Sequence, residues 1–431
     1  MKKIRTIAVW LLLLLLSLSL FACSAESEEE GEEEAPKGTV TLYVYNWGEY
    51  MADGSIYDET TGERYPDVNK DFEDWYYETY HRRVKVNYST YSSNEDMYAK
   101  IKSGAVKYDV VVPSDYMIER MINEELLRPL NFENIPDFEE NILDEFKNPS
   151  YDPENAYSVP YAYGMVGIIY NTETVDEDDE DLGSWRLMFN EDTPYSKDIL
   201  QFNNPRDAFG TALYYLGYDV NDATEEQWRE ALELLKTQKN ILQGYVMDEI
   251  FNKMKSGSSA IAAYYAGDYL SMYEDNDSLE FFYPKEGTNY YVDAFCVPYN
   301  SPNPDIAEAY INFMINEDPA VANAEYNYYA SPNKLVRESE EYQECMADVK
   351  DNAYEILYPD SSESFEDYDS YVKTMYKDLG EEGLTRMNDY WEELKVESSI
   401  NAGIYIICGV IVAVIVGFTV YFLVRKRIRA I

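Results

Sequence analysis

A single histidine, His81, stands among 431 residues, flanked by Arg82 and Arg83. Ser-His-Asp and Cys-His catalysis, and His-rich metal binding, therefore lack their parts. No glycine-rich phosphate loop is present and no EF-hand spacing, nor any internal repeat of a length that would build a solenoid. Basic residues are scarce, 35 against 82 acidic for a formal charge of −47. This excludes nucleic acid as a partner, because nothing would neutralise its phosphates. The acidic excess keeps an exported protein soluble and also concentrates cations near its surface. Carboxylate pairs for glycoside hydrolysis gain no support from spacing, so an extracellular hydrolase has no constellation to rest on. The chain reads as a non-enzyme with no cofactor and no metal.

Long hydrophobic runs occur at the two ends. Lys2, Lys3 and Arg5 precede an apolar run from Ile7 to Phe21, the n-region and h-region of a secretory signal spanning residues 1–22. Leu20-Phe21-Ala22-Cys23 resembles a bacterial lipoprotein signal, which makes Cys23 the candidate lipidation site; an ordinary signal peptide and an uncleaved anchor are the other readings. Ile404 to Val424 is 21 residues without a charge, ~31 Å as a helix and so matched to a bilayer core. Arg425 to Arg429 follow it, and the positive-inside rule makes residues 425–431 a cytoplasmic tail. The expectation is a membrane-anchored monomer with its folded part extracellular or periplasmic.

Four cysteines are present. With Cys23 and Cys408 at the two ends, Cys296 and Cys345 form the only possible disulfide, although the apolar run around Cys296 reads as the site of a buried free thiol. Residues 24–38 hold seven glutamates and almost nothing apolar, so 23–38 is read as a solvated tether. Globular sequence runs from 39 to 396. Leu42 to Asn46 and Arg83 to Thr90 read as strands, Ser93 and Asp96 as the capping residues of a helix through Ile101, and Tyr108 to Pro113 as a short buried strand delivering Ser114, Asp115 and Tyr116 to a loop. Thr224 to Gln227 is a capping box before the apolar face of Trp228, Ala231, Leu232 and Leu235, and Asp305 to Met314 repeats the helical pattern. Short strands between amphipathic helices predict α/β layers with the site at strand ends.

Aromatic residues beside an acid recur near such ends. They are Trp47, Glu49 and Tyr50; Ser114, Asp115 and Tyr116; Tyr264, Tyr265 and Asp268; and Tyr290, Tyr291 and Asp293. Ring quadrupoles and carboxylates both attract an organic cation. Core packing explains any one of these clusters as well, since the chain has 44 tyrosines; the four together favour a cation box.

Tyr45 to Tyr50, Ser93 to Lys100 and Tyr108 to Tyr116 closely resemble the bacterial spermidine/putrescine-binding proteins of ABC importers, and Ser158 to Tyr161, Tyr283 to Gly287 and Ser331 to Asn333 follow in the same order. The resemblance covers about residues 39–395. It implies a two-lobed periplasmic-binding-protein-like fold of type II with a hinge, closing on a polyamine for delivery to an ABC permease. Lobe 1 is expected at 39–162 and 293–338, lobe 2 at 163–292 and 339–396, before the transmembrane helix 404–424. By the same resemblance Trp47, Tyr50, Ser114 and Tyr116 wall the ligand, Tyr265 and Tyr291 replace tryptophans, Tyr329 is an aromatic near the hinge, and Asp293 holds an amine. Asn204 and Asp207 stand where the spermidine binder has two acids, so one charge is lost, and Asp268 resembles an acid of putrescine-preferring relatives. The segment between Met51 and Val84 is longer than in the family, and a family glutamine after Tyr358-Pro359 has no match. Two other readings remain at this point: ferric iron held by the tyrosine pairs 264–265, 290–291 and 328–329, and a surface sensor or adhesion module.

Overall fold

The computed structural model describes residues 38–55, 66–361 and 370–396. The chain divides into Met1–Val40, described only at its last residues, and Thr41–Ile431, which carries the architecture below. In order, the elements that position the site are β1 (Val40–Trp47), α1 (Val68–Tyr80), β2 (Val84–Tyr91), α2 (Asn94–Ser103), β3 (Val110–Val111), α3 (Asp115–Asn123), β4 (Ser158–Asn171), β5 (Ile199–Phe202), α4 (Pro205–Leu216), α5 (Glu225–Gln238), β6 (Leu242–Val246), β7 (Ile261–Tyr265), α6 (Ala266–Tyr273), β8 (Leu279–Phe282), β9 (Thr288–Cys296), α7 (Pro304–Met314), α8 (Glu317–Asn327), β10 (Lys373–Thr374) and α9 (Gly380–Val396).

The strands pair in the order β2-β1-β3-β9-β4-β7-β5-β6, with β10 on β9 and β8 on β4. Two strands join the halves of this path. β9 pairs β3 at Cys296 and β4 from there back to Tyr290. β4 runs antiparallel to β9 from Ser158 to Met165, then pairs β7 and β8 from Val166 onward. A bulge between Pro160 and Ala162 interrupts the first ladder, as expected where proline has no N–H to give. Around this path β1 and β3 are parallel, as are β5, β6 and β7, so their carboxyl ends point one way within each half. Such ends are where α/β folds present ligand sites.

Local chemistry explains the helix starts. Asn204 caps α4 by accepting from Asp207 N–H, with Pro205 pre-set at the first helical position and Gly217 in the left-handed conformation at its end. Thr224 and Gln227 form the expected capping box on α5. Ser93 Oγ accepts from Asp96 N–H at 3.2 Å to start α2. Asp115 and Tyr116, expected on a loop, instead open α3 behind an extended Ser114. The Asp115 carboxylate accepts from Tyr116 N–H at 2.6 Å and from Val292 N–H at 3.1 Å, which ties the helix start to β9.

The fold class needs one correction. The two-lobed α/β arrangement stands, but no helix among the described residues is long and apolar enough to cross a membrane. The longest, α9, has 17 residues, ~26 Å at 1.5 Å per residue, and it carries acidic and basic side chains. The stretch 404–424 lies outside the described residues, as do the leader, Cys23, nearly all of the tether and the tail 425–431.

Cys296 is buried and Cys345 partly so, and both are free thiols. Thermal melting is therefore expected to be unchanged by reductant; a fall in Tm of more than ~3 °C on reduction, the scale of a lost cross-link, would mean that the two are joined.

Candidate functional site

The carboxyl ends of β1, β3, β5, β6 and β7 lead into residues 47–50, 114–116, 204–207, 247–248 and 265–268. Members of every group line one cavity, which offers about 80 Å³ to the centres of water-sized spheres. Asn289, Tyr291 and Asp293 of β9 complete it with Tyr329 and Tyr376.

Four tyrosine hydroxyls each donate to a carboxylate in its lining. Tyr50 OH reaches Asp293 Oδ2 at 2.6 Å, Tyr329 OH reaches Asp268 Oδ2 at 2.8 Å, Tyr265 OH reaches Asp207 Oδ2 at 2.7 Å, and Tyr116 OH reaches Glu95 Oε1 at 3.0 Å. Asn204 Nδ2 gives Asp207 Oδ2 a second bond at 2.7 Å. Asn94 supports the fourth pair, donating to Ser114 Oγ at 3.0 Å and to Tyr116 OH at 3.2 Å. Burial, then nearby carboxylates, push all four phenols well above their ordinary range, so they stay protonated donors.

The charge in this lining is of one sign. Glu95, Asp115, Asp207, Asp248, Asp268 and Asp293 contribute carboxyl groups, and no Lys, Arg or His is among the lining residues. Arg206 is the buried cation nearby, but its guanidinium is committed to Val220 O, Asn221 Oδ1 and Lys377 O and stacks 4.2 Å from the Tyr376 ring centroid. Asp293 is 4 % exposed, and its Oδ1 has no hydrogen-bond partner. Burial raises Asp293 to about 6, with the Ser114 and then the Tyr50 hydroxyl pulling the other way, and raises Asp268 to about 7 against the Tyr329 hydroxyl. Burial likewise raises Asp207 and Glu95.

The rings form the rest of the wall. Tyr50 meets Tyr329 edge to face at 4.8 Å and Tyr265 meets Tyr291 at 5.3 Å. Trp47 lies 4.6 Å from Tyr91 and donates from Nε1 to Val112 O at 3.0 Å. Gly267 admits the Tyr329 ring, since a Cβ there would lie 2.6 Å from Cδ2 and 2.9 Å from Tyr328 O.

Of the residues expected from sequence, Trp47, Tyr50, Ser114, Tyr116, Asn204, Asp207, Tyr265, Asp268, Tyr291, Asp293 and Tyr329 lie around this one cavity. Glu49 does not line it. The turn gives Glu49 a left-handed backbone with φ of 49° and leaves it exposed, 3.4 Å from Tyr326 OH. Glu95, Asp248, Asn289 and Tyr376 were missed. Glu95 follows the Ser93 cap, an alternative signal for a helix start alone, and Tyr376 falls after Tyr358-Pro359, where the resemblance gave no match. An iron site needs phenolates, whereas the Tyr265 and Tyr329 hydroxyls donate to Asp207 and Asp268.

Fold and site together define a two-lobed binding protein whose ligand cavity is anionic and aromatic. The profile of the family described as bacterial extracellular solute-binding protein matches residues 70–350. The spermidine/putrescine-binding periplasmic protein of Salmonella typhimurium is 32 % identical over 302 residues, 69 % of this chain and 79 % of that protein. The substrate-binding protein PotD of a spermidine/putrescine ABC transporter from Streptococcus pneumoniae aligns with a TM-score of 0.62 at 31 % identity, over 83 % of this chain and 99 % of that one. The Tp0655 (TpPotD) lipoprotein of Treponema pallidum aligns at 0.64 with 26 % identity, over 82 % and 99 %. This chain belongs to the bacterial extracellular solute-binding proteins, which bind rather than transform their ligands.

The raised Asp268 has a cost in the empty protein. Its folded-state value of about 7 lies above the unfolded 3.8, so its contribution is fully present below about pH 4 and is lost as pH rises through 7. Asp268→Asn is therefore expected to stabilise the ligand-free protein by roughly 2–4 kcal/mol at pH 8, with the gain shrinking toward pH 4. Denaturant melts of both proteins across that range check it; a pH-independent difference would place Asp268 in a polar environment.

Proposed function

We propose that this protein captures a polyamine, spermidine or putrescine, between its lobes and presents it to an ABC permease. One observation carries the reading: six carboxyl groups face a cavity to which no basic side chain contributes, and one buried oxygen, Asp293 Oδ1, has no partner. A buried carboxylate without a counter-charge is costly, and an ammonium group supplies both the charge and the N–H. The names of the relatives agree in pointing to spermidine and putrescine.

The tyrosine hydroxyls orient each carboxylate by one oxygen, and Asp293 Oδ1 is left for the ligand. Asp293 takes one ammonium and Asp268 and Asp207 balance the remaining ligand charge, while Trp47, Tyr50, Tyr116, Tyr265, Tyr291 and Tyr329 enclose the methylenes, with ~0.5–2 kcal/mol from each favourable cation–π contact. Ser114 and Asn204 hold these groups in place. Lobe 1 comprises 39–162 and 293–338, lobe 2 comprises 163–292 and 339–396, and the two hinge where β4 and β9 pass from one to the other. The complete contact set exists only when both lobes meet the ligand, so binding favours closure. The protein works outside the cytoplasmic membrane as a monomer held by a lipid on Cys23.

Calorimetry with putrescine and spermidine tests this. At least one should bind with a Kd near or below the micromolar range, ~8 kcal/mol; no binding of either below about 1 mM overturns it. Asp293→Asn should cost ~2 kcal/mol or more of affinity. Asp268 and Asp293, raised to about 7 and about 6, are partly protonated in the empty cavity at neutral and mildly acidic pH and must ionise to meet ammonium. Affinity should accordingly rise from pH 5.5 to pH 8, with protons released at pH 6.5 as read from the buffer dependence of the binding heat. Affinity flat with pH would show that neither group takes up charge on binding.

A further inference from the structure

β9 joins the two halves of the sheet and alternates its side chains, so Asn289, Tyr291 and Asp293 share one face. All three line the cavity. Each also carries a buried polar atom with no hydrogen-bond partner: Asn289 Oδ1, Tyr291 OH and Asp293 Oδ1. Unpartnered buried polar atoms are rare because each forfeits its hydration. Three at successive inward positions of one strand make a row of unused hydrogen-bonding groups.

Their surroundings hold the row in place. The backbone on either side is committed to pairing, with Asn289 opposite Thr374 of β10, Tyr291 opposite Gly164 and Asp293 opposite Ala162 of β4. A Cβ at Gly164 would lie 2.6 Å from Tyr291 OH, so the phenol fills the space that only a glycine leaves there. Asn289 itself is 4 % exposed, out of reach of bulk water.

Resting on the polyamine reading above, we propose that Asn289 seats the far terminal nitrogen of a triamine, which lies along the inward face of β9 with its first ammonium on Asp293 Oδ1. Asn and Asp side chains are equally long, so the separation of their oxygens follows the strand, ~13 Å for four residues. Extended terminal nitrogens lie ~6 Å apart in a four-carbon diamine and ~11 Å apart in the triamine. With a hydrogen bond of ~2.9 Å at each end the triamine spans the two seats, whereas the diamine reaches only ~12 Å and falls short. Tyr291, between the two seats, presents its ring and hydroxyl to the methylenes and to any central amine. The row is anionic at Asp293 and neutral at Asn289, so the far nitrogen is read by an amide oxygen rather than by a charge.

The test compares putrescine, spermidine and butylamine, which has one ammonium and no second nitrogen, against wild type, Asn289→Leu and Asn289→Asp, with Tm measured for each. Asn289→Leu should weaken the triamine about 10-fold or more, the effect of leaving a buried donor unpaired, and leave the diamine and butylamine within about 2-fold. Asn289→Asp should tighten the triamine at pH 8 and again spare the diamine and butylamine. Unchanged spermidine affinity in a folded Asn289→Leu protein overturns the proposal, as does an equal loss for putrescine or butylamine, which would mean general damage. If wild type binds none of the amines, the polyamine reading itself fails; if wild type binds and Asn289 is indifferent, only this inference does.

Discussion

A carboxylate buried beside a cavity that has no resident cation is the constraint on which this structure turns. Asp207, Asp268 and Asp293 are each 9 % exposed or less, and none has an ion pair in the cavity. Such groups either hold a proton or await a cation, and the raised values of Asp268 and Asp293 express that choice. Tyrosine hydroxyls make the arrangement tolerable by satisfying one oxygen of each. Because burial keeps the phenols protonated, they remain donors at any pH where the carboxylates ionise. Of the remaining carboxylate oxygens, Asp293 Oδ1 is buried without a partner.

Backbone geometry serves the same end. β4 and β9 run through both halves of the sheet, so the residues they carry are placed by two ladders at once. Asp293 sits in the part of β9 that pairs β4 near its bulge, and Tyr265 faces Val166 where β4 has left β9 for β7. The two ends of the cavity are thus built on shared strands, while Trp47, Tyr116 and Asp207 come from elements private to one half. Motion of one half against the other would separate the private residues and spare the shared ones. Glycines at 164 and 267 let Tyr291 and Tyr329 approach backbone that any side chain would hold away.

The local signals in the chain were read well where chemistry is local. Asn204-Pro205 and Thr224 to Gln227 start helices because their own side chains close the first turn, and β-branched and aromatic runs form strands where expected. Asp115 was misplaced because its role lies in a bond to Val292, 177 residues away. Glu49 adjoins Trp47 and Tyr50 in sequence, yet a left-handed backbone turns it outward. Adjacency in sequence does not fix direction. The apolar run at 404–424 lies outside the described residues.

What the sequence by itself determined is the chemistry available: aromatic residues and acids at strand ends, a single histidine, an acidic excess, and motifs long enough to identify the family. What only the tertiary structure decided is which acid meets which hydroxyl and which atoms are left without a partner. Tyr50 and Asp293 are 243 residues apart, and Tyr329 and Asp268 are 61 apart. Those pairings depend on sheet order and on the crossing of β4 and β9, which no window of the chain encodes. The same is true of Asn289, an ordinary amide in sequence whose unpartnered oxygen becomes visible only when alternate residues of one buried strand are seen to face one cavity.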